Sequence, residues 1–195
     1  VYLQSYVDPY YSARRAATLI VALTCSAPPY EHCFCASMGT GPSPTKGYDL
    51  LLTDLGSEYL VEVGSPKGIS VVEDLNWPDA TAGDLARKQS IIDSCIALMP
   101  KVMANRESLR QVLNGSYTHP YWSKLKDKCL GCGNCALSCP TCYCYNVIDK
   151  VSLDATKVDR VRSWDACLLM EFAEVHGGNF RKERDARVKQ FVYHK

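Results

Sequence analysis

Apolar and polar residues fall into blocks whose periods predict the elements. Residues 18–24 (Thr-Leu-Ile-Val-Ala-Leu-Thr) form one unbroken β-prone run, the pattern of a buried strand. Residues 48–53 and 59–63 are two further runs of strand length, and the Asp54-Leu55-Gly56-Ser57 between them predicts a hairpin. Ser65-Pro66 has the form of a helix cap followed by a first helical residue; the helix runs to about Leu75 and ends at Asn76-Trp77-Pro78. From residue 81 to residue 98 the period changes. Leu85, Ile92 and Ile96 recur at helical spacing until Pro100 stops them. Helical spacing resumes over 103–113 and closes on Asn114-Gly115. Ahead of the first strand, the aromatic stretch 1–11 turns at Asp8-Pro9, and Ser12 is the expected cap of a short helix over 13–17.

Beyond residue 120 the blocks shorten. Residues 121–128 lead into a cysteine-rich segment, and 147–153 and 158–161 are strand-like. Residues 164–173 predict a short helix that ends before Gly177-Gly178. Residues 181–193 place Arg, Lys, Glu and Asp at helical spacing, which predicts a solvated helix face or a docking surface for an acidic partner. The fold class expected is therefore α+β: an α/β front half joined to a back half of cofactor-holding loops between short elements. The boundary falls near residues 115–121, giving domains 1–118 and 119–195.

Composition narrows the class. The 195 residues are 47% hydrophobic and 22% charged, enough for a real core. A net charge of +1 provides no field for nucleic acid. No apolar run approaches the ~20 residues that span a bilayer. No targeting segment is evident, and with eleven cysteines, an odd count, a reducing cytoplasmic setting fits better than a disulfide framework.

Candidate chemistry lies in the cysteines. Cys129, Cys132, Cys135 and Cys139-Pro140 have the spacing C-x2-C-x2-C-x3-C-P of a bacterial iron–sulfur run. Three cysteines at intervals of three let one tight loop wrap a 4Fe–4S cube, and Gly131 and Gly133 give that loop access to positive φ. Backbone N–H groups must then face the cluster sulfurs, because the thiolate-ligated core is anionic. In two-cluster ferredoxins the fourth cysteine of such a run serves the other cluster. A structural zinc knot and a disulfide framework are the competing readings. Cys142 and Cys144 follow at once, and the front half echoes them in Cys33-Phe34-Cys35, with Cys25 upstream. Soft thiolates gathered in this way select iron–sulfur or zinc. They predict either a further cluster built from Cys25, Cys33 or Cys35 and Cys142 or Cys144, or buried thiols of the kind common in cores. Cys95 is expected in the core, and Cys167, in a Trp-Asp-x-Cys turn, either in the core or as a ligand. The glycine-rich 37–42 lacks a Walker lysine. His32, beside Cys33, is a candidate ligand or donor, and His119, His176 and His194 are expected on the surface. No catalytic Ser/His/Asp set or paired-carboxylate pattern stands out.

Several strings in chain order carry a resemblance. They are Asp8-Pro9-Tyr10-Tyr11, the CFCASMGTGP string of residues 33–42, Val61-Glu62-Val63-Gly64-Ser65, the CLGCGNCALSCPTCYC string of residues 129–144, Trp164-Asp165-Ala166-Cys167-Leu168-Leu169 and Tyr193-His194-Lys195. The chain resembles the iron–sulfur (beta) subunit of sulfhydrogenase-type nickel–iron hydrogenases and its relative, the A subunit of anaerobic sulfite reductase. The resemblance implies a ferredoxin-like 4Fe–4S back half with at least one cluster, and two or three in all. It implies electron relay between a flavin subunit that handles NAD(P)H and a catalytic subunit, either hydrogenase or sulfite reductase. An iron–sulfur reductase with its own substrate site and a zinc-binding interaction module are the alternatives. Such subunits have sequence ahead of the position of Val1 and a second cysteine run past that of Lys195. The resemblance therefore implies a segment of a longer chain, with Cys129, Cys132 and Cys135 completed by that run and Cys139 serving a second cluster. In a complete chain, Cys139, Cys142 or Cys144 would close a single cluster.

Overall fold

The first helix, α1 (Pro9–Ala17), starts earlier than expected. Asp8, not Ser12, is its cap: the Asp8 carboxylate accepts the Tyr11 N–H at 2.8 Å, and Pro9 takes the first helical position, where a missing N–H costs nothing. These features come from a computed structural model that describes residues 2–194; Val1 and Lys195, the end of the Tyr193-His194-Lys195 string, lie outside the described residues. The chain divides into two units between Arg106 and Glu107, ahead of the expected 115–121 boundary.

In the first unit, β1 (Val21–Leu23) is followed by a loop containing one helical turn, α2 (Cys35–Met38), and then by the hairpin β2 (Leu50–Asp54) and β3 (Tyr59–Val63). β2 and β3 pair antiparallel from Leu50 opposite Val63 to Asp54 opposite Tyr59, as the two runs predicted. β1 pairs parallel to β2, so the sheet order is β1-β2-β3. The run over 18–24 thus yields only a three-residue edge strand, and Val21 and Leu23 are exposed rather than buried. An unbroken apolar run reports β propensity, whereas burial depends on whether another layer covers the strand. The interior of this unit gathers Leu50, Leu51, Leu60, Thr53 and Cys95. Buried hydroxyls join its strands to its loop: Thr53 donates to Thr24 at 2.9 Å, and Thr24 shares a hydrogen bond with Ser43 at 3.1 Å.

Two helices complete the unit. α3 (Pro66–Val72) is capped by Ser65, which accepts the Gly68 N–H and donates to the buried Asp49 carboxylate at 2.6 Å. Asp49 also accepts the Ile20 N–H at 2.7 Å, so one side chain joins the start of β1 to the start of α3. These bonds, with Arg15 nearby, hold its carboxyl below the usual carboxylate range. α4 (Ala82–Ala97) starts in a capping box between Thr81 and Asp84. Arg87 of α4 reaches Glu58 at 2.8 Å and Lys88 pairs with Glu62, which lays the helix along β3.

The second unit has no large sheet. α5 (Leu109–Gly115) is shorter than the predicted 103–113 helix and starts later, after a single 3-10 turn at Arg106–Ser108. α6 (Tyr121–Lys128) leads into the cysteine segment, which contains the one-turn α7 (Asn134–Leu137). β4 (Tyr145–Val151) and β5 (Val158–Trp164) form an exposed hairpin. The helix expected over 164–173 is absent. Trp164 extends the ladder opposite Tyr145, and Asp165 donates its N–H to the Cys144 carbonyl at 3.1 Å, so the backbone groups that would start a helix are spent on the hairpin. Only a 3-10 turn, Glu171–Ala173, follows, then the small pair β6 (Glu174–Val175) and β7 (Gly178–Asn179). α8 (Arg184–Tyr193) closes the unit. Its Val188 joins Ala136, Ala166 and Leu168 in the core, with Cys129, Cys142 and Leu169 packed against them.

Candidate functional site

The cysteine loop begins where α6 stops. The Cys129 N–H still bonds to the Leu125 carbonyl at 3.0 Å, and Gly131 then takes φ +73° and Gly133 φ +75°, the left-handed region that L side chains rarely enter. The first of these turns aims the Gly131 N–H at the Cys129 sulfur, 3.4 Å away. The second is also tightly packed: a Cβ on Gly133 would lie 3.0 Å from Leu169 Cδ2 and 3.4 Å from Ala166 Cβ. The Gly133 carbonyl accepts the N–H groups of Ala136 and Leu137, both at 2.9 Å, and so starts the turn that carries Cys135. Cys139 donates its N–H to the Ala136 carbonyl at 3.2 Å, and its sulfur lies 3.0 Å from the Thr141 hydroxyl. The Cys142 N–H returns to the Cys139 carbonyl at 3.0 Å. Cys132 and Cys135 are exposed, Cys129, Cys139, Cys142 and Cys144 are half-buried, and Cys167 is buried.

α8 braces this loop. Arg184 donates to the carbonyls of Lys126 at 3.2 Å and Cys129 at 2.8 Å. Tyr193 donates to the Leu113 carbonyl and packs against Trp122, with ring centroids 5.5 Å apart. Between them, Arg187 is 9% exposed and reaches over Gly131, its Nη2 lying 3.8 Å from where a Cβ would be. The buried Nε of Arg187 has no hydrogen-bond partner among the described residues. Leaving such a group unpaired costs about 1–3 kcal/mol or more when charged. A buried guanidinium with an unused N–H beside a thiol-lined loop fits an anionic group held there. Together with the amide aimed at Cys129, it makes the donor set one for a thiolate-ligated iron–sulfur cube. All eleven cysteines stand as thiols rather than disulfides. Among the described residues, no three His, Cys, Asp or Glu side chains are arranged to hold a single metal ion. A tetrahedral zinc knot would need sulfurs about 3.8 Å apart, from Zn–S bonds of about 2.3 Å.

Cys25, Cys33, Cys35 and Cys95 all lie in the first unit, and Cys142 and Cys144 in the second. Cys95 is fully buried, as expected. His32 is exposed, with Nδ1 2.9 Å from Lys101 Nζ, and His119, His176 and His194 are also exposed. Sequence reasoning missed Arg187. Its signal was there in Arg184, Arg187, Val188 and Phe191, which share one face of α8, but the surrounding charges made that helix read as a solvated face or a docking surface.

The loop, its glycines and the buried guanidinium lie within residues 128–195, which match the family described as the 4Fe-4S dicluster domain. The chain as a whole is similar to sulfhydrogenase 2 subunit beta of Pyrococcus furiosus, with 38% identity over 197 residues. It is a homologue of that subunit across 99% of its own length and spans 57% of the relative's. No solved structure matches. Among the described residues, no helix is long and apolar enough to cross a membrane.

Proposed function

We propose that this chain is an electron-transfer component, with Cys129, Cys132, Cys135 and Cys139 as cluster ligands in its second unit. The observation that carries the reading is the buried Arg187, with its unpartnered Nε, above a left-handed glycine loop whose amide already faces a cysteine sulfur. When bound, a 4Fe–4S cluster supplies one-electron storage and transfer at a potential set by charge, hydrogen bonds and exposure. The chain's part is to hold the thiolates, direct N–H donors at sulfur, and offset negative charge with Arg187. Exposed Cys132 and Cys135 leave one edge of the site open, which suits electron exchange with another protein.

The resemblance to sulfhydrogenase beta subunits extends the reading to a complex in which this chain passes electrons between a flavin-containing, NAD(P)H-reactive subunit and a nickel–iron catalytic subunit. Anaerobic reconstitution with iron and sulfide tests the first step. The wild-type chain is expected to show broad visible absorption that bleaches with dithionite, and replacement of Cys129, Cys132 and Cys135 by Ser removes the iron held by the second unit. Unchanged iron content in that triple variant would refute the ligand assignment. Chains that co-purify from the native host test the second step: a nickel–iron subunit supports the hydrogenase reading, and a sirohaem subunit overturns it in favour of sulfite reduction.

A further inference from the structure

The first unit has four cysteines that the dicluster match leaves unassigned, and its fold brings them to one place. Cys25 follows buried Thr24, and its N–H donates to the carbonyl of buried Pro42 at 3.1 Å. Gly41, next in line, packs against Cys35: a Cβ there would lie 2.8 Å from the Cys35 sulfur. The loop over 39–42 is thus in contact with both Cys25 and Cys35, and Cys33 is two residues from the latter. The Cys35 thiol in turn faces the Met99 sulfur at 4.0 Å. Met99 follows Cys95 by four residues, just past the end of α4, and its N–H bonds back to the Ile96 carbonyl at 3.1 Å, so Cys35 meets the chain where it leaves the helix that carries Cys95.

The segment after α4 then grips the cysteine loop at three more points. Lys101 meets His32 at 2.9 Å, the Met103 N–H donates to Ser37 Oγ at 2.8 Å, and the Arg106 guanidinium packs on Gly39. These contacts hold α2 and the Cys33-Phe34-Cys35 turn against the end of α4. The electrostatics agree: burial pushes the Cys95 thiol up, and the Cys25, Cys35 and Cys33 sulfurs push it further. The three loop sulfurs therefore lie close enough to Cys95 to act on it, and four thiols so gathered suit a cation-rich centre. Lys101 and Arg106 stand beside the loop, suited to the net negative charge that a thiolate-ligated cube retains. No three of these sulfurs are arranged to share one ion, whereas the corners of a cube spread four ligands more widely.

We infer that Cys25, Cys33, Cys35 and Cys95 ligate a 4Fe–4S cluster contained within the first unit, in addition to the centre in the second. The ligand set differs from the sequence expectation, which completed Cys25 and Cys33 or Cys35 with Cys142 or Cys144 and placed Cys95 in the core. The inference does not depend on the proposed role in electron transfer.

The test uses the full chain, reconstituted anaerobically with iron, sulfide and zinc all present. The Cys129→Ser, Cys132→Ser, Cys135→Ser chain is expected to retain about four iron and four sulfide, the content of one cube, and to give an electron paramagnetic resonance signal on reduction. Adding Cys33→Ser or Cys25→Ser, both at positions not fully buried, removes that iron and that signal while circular dichroism stays unchanged. Cys95→Ser does the same; because Cys95 is fully buried, the Cys25 and Cys33 variants carry the test should this one misfold. The inference is overturned if the triple variant binds no iron, if its iron survives Cys33→Ser, or if it takes up zinc in place of iron. A wild type with no more iron than the triple variant overturns the assignment in the second unit and upholds this one.

Discussion

Replacing Gly133 by alanine separates the two demands that the cysteine loop makes on that position. The residue sits at φ +75°, where an L side chain costs about 1–2 kcal/mol. The new methyl also meets Leu169 Cδ2 at 3.0 Å, Leu169 Cγ at 3.3 Å and Ala166 Cβ at 3.4 Å. Ala166 is buried in the core of the unit and Leu169 packs on that core, so room must come from moving packed side chains, at about 1–3 kcal/mol. The sum is a loss of about 2–5 kcal/mol. Gly131 is the internal control. Its φ is +73°, and its nearest neighbour is Arg187 at 3.8 Å, an ordinary contact, so Gly131→Ala carries the backbone cost alone, about 1–2 kcal/mol. With a urea dependence of about 1–3 kcal/mol per molar, a loss of about 3 kcal/mol moves the unfolding midpoint by about 1–3 M. Hydrogen exchange on peptides from each unit, measured along a urea series, reads the second unit apart from the first. Gly133→Ala is expected to lower protection across the cysteine loop and α8 well beyond Gly131→Ala, and to shorten cluster retention after reconstitution. Equal losses from the two variants would refute the packing argument and leave only the backbone term.

Two further outcomes follow from the first unit. The Asp49 carboxyl titrates below its unfolded value because Ser65 and the Ile20 N–H donate to it, so the stability it contributes is fully present above the ordinary carboxylate range and lost as the pH falls through the folded pKa. Asp49→Asn is therefore expected to flatten the acid limb of this unit's urea midpoint below about pH 4; an unchanged slope sinks the assignment. Leu51 is 1% exposed between the β1 and β3 pairings, and Leu51→Ala is expected to cost about 2–5 kcal/mol, with the loss of exchange protection confined to peptides ending at Arg106. Loss spread evenly over both units would show that they do not unfold separately.

Local signals in the chain were enough for most elements. The hairpin of β2 and β3, the Ser65-Pro66 start of α3 and the capping box of α4 each rest on residues within a few positions of one another, so their chemistry is written contiguously. The failures have two causes. Residues 164–173 lost their helix because Trp164 and Asp165 bond to Tyr145 and Cys144, some twenty positions earlier in the chain, and no local propensity reports that competition. Ser12 gave way to Asp8 as the cap of α1 because Pro9 suits the first helical position.

The iron–sulfur run divides in the same way. Its spacing and the need for Gly131 and Gly133 were legible from the residues alone, since a tight loop presenting three thiols demands positive φ at fixed offsets. Its charge environment was not: Arg187 reaches Gly131 only because α8 folds back on α6 and the loop. The grouping of Cys95 with Cys25, Cys33 and Cys35 was equally hidden. Sixty residues separate Cys95 from Cys35, and within its own helix it has the pattern of any core residue. Spacing along a chain encodes ligands that share a loop. Ligands on separate elements converge only when sheet, helix and the segment after α4 pack, and that convergence is a property of the tertiary fold.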